Sequence, residues 1–153
     1  MNNYEYTNEL FKKVCEVLGI KFTKTTATKL QLWATENQPP FMGLVDMRAG
    51  TAVTVGSNIV TYQCTAILIV ASNIDPTDQE VYENHSLSQE LWGKFQKLVR
   101  TNRYCDIEEM ILEEVFRFDT YAGIGHIGTF RITMPSIDNY CETDCKIKDL
   151  NDC

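Results

Sequence analysis

Residues Asn58 to Ser72, NIVTYQCTAILIVAS, hold this chain to a sheet. Val60, Tyr62, Cys64, Ala66, Leu68 and Val70 share one face of a strand drawn through them, and Thr61, Gln63 and Thr65 share the other. Alternation of period two marks a strand with one wet face. At Ile67 and Ile69 the second face turns apolar as well. A strand end that is apolar on both sides is covered on both sides. The segment therefore predicts a sheet packed along one face, with something laid over part of the other.

Helical and strand patterns surround it. Residues 4–19 carry Leu10, Phe11, Val14 and Leu18 on one stripe, joined by Cys15, with Glu9, Lys12, Lys13 and Glu16 outside it. That spacing predicts an amphipathic helix, and Gly19 is a suitable stop. Thr23 to Lys29 reads as a polar connection. Lys29 to Thr35 alternates, with Leu30, Leu32 and Ala34 opposite Lys29, Gln31 and Trp33, which predicts a first strand. The run ENQPP, Glu36 to Pro40, breaks it, because proline donates nothing to a ladder. Phe41 to Met47 is a second strand, and Ala49 to Ser57 a Gly- and Thr-rich hairpin or loop.

After the long strand, Asn73 to His85 is polar, contains Asp75-Pro76 and reads as a loop. Ser86 then opens a helix, with Gln89 three residues on as in a capping box. Leu87, Leu91, Trp92, Phe95, Leu98 and Val99 form a wide apolar stripe that runs out near Asn102. Ile107 to Leu112 fits a strand or a short helical turn. Glu113 to Thr120 predicts a strand with Phe116 and Phe118 on one face, Gly123 to Gly128 a turn, and Ile127 to Met134 a strand that Pro135 ends. These last two strands form a terminal β-hairpin. The expected fold is α+β: a mostly antiparallel sheet, two main helices packed on one face, and that hairpin. Residues 1–135 make a single domain, and 136–153 an acidic, cysteine-bearing C-terminal tail.

Totals narrow the function classes. At 153 residues one domain is expected. The net charge of −7 repels phosphate, which argues against sequence-independent nucleic-acid binding. The dense basic run, Lys94 to Arg103, lies on the predicted helix and reads as a solvated face. The N-terminus lacks the basic and apolar regions of a secretory signal. The longest apolar run, Ala66 to Ala71, is far short of the roughly 20 residues that span a bilayer. A soluble protein made in a cytoplasm is expected. There, the cysteines at 15, 64, 105, 141, 145 and 153 stay reduced by default. Cys15 and Cys64 sit in apolar patterns as small hydrophobes. Cys141, Cys145 and Cys153 do not match zinc spacing, and no histidine comes after them.

The motifs capable of chemistry are weak ones. Gly123, Gly125 and Gly128 spell G-x-G-x-x-G, but the next residues alternate as a strand instead of opening a helix, so a glycine-rich turn is favoured over a dinucleotide site. His85 and His126 both fall in predicted loops. His126 beside Asp119 is a conceivable acid–base pair. Glu108, Glu109, Glu113 and Glu114 form an acidic cluster; in a helix, Glu109 and Glu113 would share a face. Paired carboxylates can act as acid and base or hold magnesium, but a solvated or interface patch is the plainer reading. Trp92 belongs to the core stripe. Trp33 lies on the wetter face of its strand, where a large aromatic can anchor a subunit contact. No catalytic residue, cofactor or metal ligand is assigned.

At this point the chain resembles the tail terminator and head–tail joining proteins of long-tailed bacteriophages. The resemblance rests on TNELFKKVCEVL before a polar strand, on VTYQCTAILIVAS running into SLSQELWGKFQKLV, and on EEVFRFDTYAGIGHIGTFRITMP at the close, spanning about residues 7 to 134. It is a likeness of pattern without invariant residues, and the cysteine-bearing tail is outside it. It implies a non-enzymatic virion protein, assembled in the host cytoplasm as a ring, typically a hexamer. Such a ring caps the tail tube, joins it to the head connector and lets DNA through without binding it specifically. The residues expected at subunit or partner contacts are Trp33, Phe41, Met42, Arg48, Thr51, Val53 and Val55. The Ala49–Ser57 loop and the 73–85 connection are the segments expected to order against a partner. Three alternatives stay open: another phage neck or connector subunit, a small α+β enzyme or ligand-binding domain using Glu108–Glu114 or His126, and a bacterial accessory protein.

Overall fold

A computed structural model describes residues 2–49, 59–102, 105–117 and 121–136. Helix α1 spans Asn3–Leu18. It starts at a capping box in which Asn2 and Glu5 satisfy each other's backbone N–H groups, and it stops at Gly19 in the left-handed conformation. Strand β1, Lys21–Lys24, and helix α2, Ala27–Glu36, come next. Then come strands β2, Phe41–Ala49, and β3, Ile59–Ser72. Helix α3 is Asp78–Thr101; strands β4, Asp106–Val115, and β5, Gly123–Pro135, end the described fold.

Among the described residues five strands form one sheet in the order β1-β2-β3-β5-β4. β1 and β2 run parallel and every other pair is antiparallel. The β-hairpin is β4 with β5, and the expected α+β class, mostly antiparallel, holds. α1 and α3 cover one face. There Leu10, Phe11 and Val14 of α1 and Trp92, Phe95 and Val99 of α3 close over Cys64, Ala66 and Leu68 of β3 and Phe130 and Ile132 of β5. Phe11, Phe95, Phe130 and Trp92 pack edge-on or tilted, with neighbouring ring centroids 5.4 to 6.2 Å apart. Such geometry adds to the roughly 1.5–3 kcal/mol that each large buried side chain gains from leaving water.

α2 is the layer that Ile67 and Ile69 anticipated, and its place corrects one expectation. Lys29 to Thr35 is helix, not strand. Thr26 caps it by accepting the Lys29 N–H. Leu30 and Ala34, four residues apart, are buried against Phe41, Ile67, Ile69 and Val115, while Leu32 between them is 70% exposed. A period of two and a helical i, i+4 pair read the same at Leu30 and Ala34; the exposure of Leu32 separates them. α2 also carries the parallel crossover from β1 to β2, since parallel neighbours cannot join through a tight turn. The stretch read as a polar connection from Thr23 holds the end of β1.

Other boundaries move as well. α3 begins at Asp78, so much of the expected 73–85 loop is helix, and its cap is Thr77, which accepts the Glu80 N–H, in place of Ser86. Thr77 and Glu80 have the same spacing as Ser86 and Gln89; the start nearer the proline is the one the fold uses. The ambiguous segment 107–112 is strand, continuous with 113–115. β4 stops before Phe116, which is 53% exposed, and Phe118 lies outside the described residues. Gly123 to Gly128 is the first half of β5 and not a turn. Its glycines serve close packing. A Cβ on Gly125 would collide with the Leu68 carbonyl, and one on Gly128 would come 2.6 Å from the Trp92 ring. The Ala49–Ser57 loop lies outside the described residues apart from Ala49, and so does the tail beyond Ser136. No helix among the described residues is long and apolar enough to cross a membrane.

Candidate functional site

Two regions of the fold carry more polar chemistry than packing needs. One is a cleft of about 370 Å³ beside the first turns of α3, lined by Asp78, Val81, Tyr82, His85, Ser86, Gln89, Glu114 and His126. Both histidines were expected in loops. Helix α3 carries His85, and β5 carries His126 on the face that meets α3. Their ring centroids are 5.3 Å apart. Nε2 of His85 lies 3.0 Å from the Val115 carbonyl, which can only accept, so that nitrogen holds the proton. Nδ1 of His85 then faces the Glu114 carboxylate at 3.8 Å. Nδ1 of His126 is 2.9 Å from Oγ of the fully buried Ser88, and its backbone carbonyl accepts the Trp92 indole N–H. Burial, and after it the neighbouring His85, hold the His126 imidazole below its ordinary pKa, against the opposing pull of Glu114.

The proposed pairing of His126 with Asp119 falls outside the described residues on the aspartate side. In its place the sheet brings Glu114 directly opposite His126. That pairing was hidden while 123–128 read as a turn, because register exists only once both strands do. The cleft thus brings two imidazoles and a carboxylate to one wall, the residue types of acid–base chemistry. No group of three or more His, Cys, Asp or Glu among the described residues is placed to hold a metal ion.

The second region is the pair of sheet edges. β1 and β4 are the outer strands, and each bonds to one neighbour among the described residues. β1, KFTK, carries Lys21 and Lys24 and no acid. β4, DIEEMILEEV, carries Asp106, Glu108, Glu109, Glu113 and Glu114 and no base. The acidic cluster is therefore strand, so Glu109 and Glu113 do not share a helix face. Glu109 sits at φ 54°, and the β4–β5 register slips between Glu108 and Ile111. This irregularity lets both Glu108 and Glu109 reach Arg131, at 3.2 and 2.9 Å. Beyond it Ile111 stands 65% exposed. An open edge that keeps a large exposed apolar side chain is a template for strand addition.

The residues expected at contacts divide. Phe41 and Met42 are fully buried within the chain's own core and offer a neighbour no side-chain surface, which corrects that expectation. They sit at the start of a strand covered on both faces, where the surrounding alternation carries no sign of solvent. Trp33 packs edge-on against Phe41 at 5.2 Å and is half-buried there on the α2 side. Arg48 is exposed and held by Asp46 at 2.7 Å. Thr51, Val53 and Val55 lie outside the described residues. Sequence reasoning missed β1 as an edge altogether; the signal was KFTK itself, too short to show a period.

Comparison with protein-family models, with curated proteins and with solved structures gives no match for this chain.

Proposed function

We propose that this protein is a structural subunit of a long-tailed bacteriophage, a tail terminator that closes into a ring, typically of six copies, caps the tail tube and carries the head connector. It works by shape and contact, without making or breaking a bond, and its place is the virion. The observation that carries the reading is the pair of unlike sheet edges on one chain, lysines on β1 and carboxylates on β4. A surface that cannot match itself but can match a second surface on the same chain favours head-to-tail contacts, and such contacts close into rings when the rotation allows. The layering also supports it, with two helices on one face of a mostly antiparallel sheet, as the resemblance in sequence implies. The net charge of −7 suits a lumen that DNA crosses without sticking.

The cleft lined by His85, His126 and Glu114 favours a second reading, a small ligand-binding or acid–base domain. Sedimentation velocity and negative-stain images of the purified chain separate the two. Annular particles with a mass near six copies are expected. A monomer at every concentration, together with a ligand that binds the cleft, would replace the ring with the second reading.

A further inference from the structure

We infer that the ring closes by strand addition, β1 of one copy pairing with residues Ile111–Glu113 of β4 in the next. The pairing rests on the ring reading and adds to it the contact itself. Strand direction favours it. β1 and β2 run the same way, β3 opposite, β5 with β1 again and β4 opposite to it. A second copy placed so that the sheet continues in the same sense sets its β1 antiparallel to this β4, the simpler ladder to form.

The layers also match when the copies are joined this way. On β1, Phe22 packs towards α1, and the Lys24 ammonium lies 5.8 Å from the Tyr4 ring of the same helix. On β4, Leu112 packs against the same core cluster, and Glu114 reaches His85 of α3. Lys21 and Thr23 point to the other face, as do Ile111, Glu113 and Val115, the last of these within the α2 cluster. A joined sheet would keep α1 and α3 of every copy on one side. The α1/α3 face would then carry Lys24 and Glu114 with Phe22 and Leu112 between them, and the α2 face would carry Lys21 and Glu113.

One antiparallel register pairs opposite charges on the α2 face and apolar side chains on the α1/α3 face. It sets Lys21 opposite Glu113 and Phe22 opposite Leu112, which leaves Thr23 opposite Ile111. Opposite charges and apolar pairs directly across a ladder each stabilise it, and like charges there oppose it. An open cleft of about 330 Å³ runs beside Phe22, lined by Lys12, Glu16, Gly19, Ile20 and Lys21, and gives the incoming strand room. The slip at Glu109 ends the straight run of β4 at Ile111, so Lys21, Phe22 and Thr23 are the β1 residues that pair and Lys24 lies past the joint. A chain of net charge −7 repels its copies at long range, so a local contact of opposite sign is what can hold them.

The test reverses the pair. Lys21→Glu, Glu113→Lys and the double variant Lys21→Glu/Glu113→Lys are compared with the unaltered chain by sedimentation velocity and mass photometry over a concentration series. Thermal melts confirm that each is folded. Each single reversal places like charges across the joint and should raise the concentration for half-assembly by about tenfold or more. The double variant restores opposite charges and should return most of that loss. Singles that assemble as the unaltered chain does, or a double no better than either single, overturn the edge pairing while the ring stands. An unaltered chain that stays monomeric throughout overturns the ring reading and the pairing with it.

Discussion

Gly128→Ala tests how closely α3 lies on the sheet. The added Cβ would stand 2.6 and 2.7 Å from two carbons of the Trp92 six-membered ring. Carbon contacts settle near 3.5–4.0 Å, so the ring must retreat by about 1 Å. It has nowhere to go. Trp92 is fully buried, its ring lies 5.5 Å from Phe95 and 6.0 Å from Phe130, and both of those rest on Phe11. The indole N–H is also tied to the His126 carbonyl at 3.3 Å, and a shift of the ring stretches that bond. Overpacking of this kind costs about 1–3 kcal/mol. With roughly 3 °C per kcal/mol for a domain of this size, a loss of about 2 kcal/mol lowers Tm by about 6 °C.

Gly93, on the exposed side of the same helix with nothing within 4 Å of a Cβ, is the control. Alanine there removes backbone freedom from the unfolded chain and gains about 0.8–1 kcal/mol. Calorimetry of both variants, with near-UV circular dichroism to track the tryptophan environment, reads the difference. A Gly128→Ala protein that melts no lower than the parent, with an unchanged near-UV spectrum, would refute the claim that glycine is there for the tryptophan.

Two further outcomes are expected. Thr77→Ala removes the cap of α3 and should cost about 1 kcal/mol in chemical denaturation, whereas Ser86→Ala, inside the helix, should be nearly neutral; equal effects would put the helix start back at Ser86. His126 bears on pH. Its folded pKa is lowered, so as pH falls below the ordinary value of about 6.5 the unfolded chain takes up the proton first. Stability therefore declines through that range until the folded imidazole also charges, and the decline should shrink in His126→Asn; melts from pH 8 to 5 with the same slope in both proteins would contradict it.

The long strand, the first helix and the apolar stripe of α3 were legible because each repeats its period many times over a half-buried face. Short segments were not. Over Lys29–Thr35 a strand and a helix predict nearly the same buried positions, and the burial of Ala34 with the exposure of Leu32 was decided by where β3 presented Ile67 and Ile69. The candidate sites were less legible still. Glu114 and His126 are twelve positions apart, and Lys21 and Glu113 stand on opposite edges of the sheet.

Composition and periodicity determined, by themselves, an α+β chain with a sheet at its centre and a tryptophan-bearing helix on it. They could do so because burial of apolar faces is a local property, written into the spacing of side chains along one element. Tertiary structure alone decided that α2 is a helix, that Gly128 lies under Trp92 and Gly125 against Leu68, and that lysines and carboxylates end on opposite rims. Those facts depend on register and strand order, which arise between segments and leave no mark within any one of them.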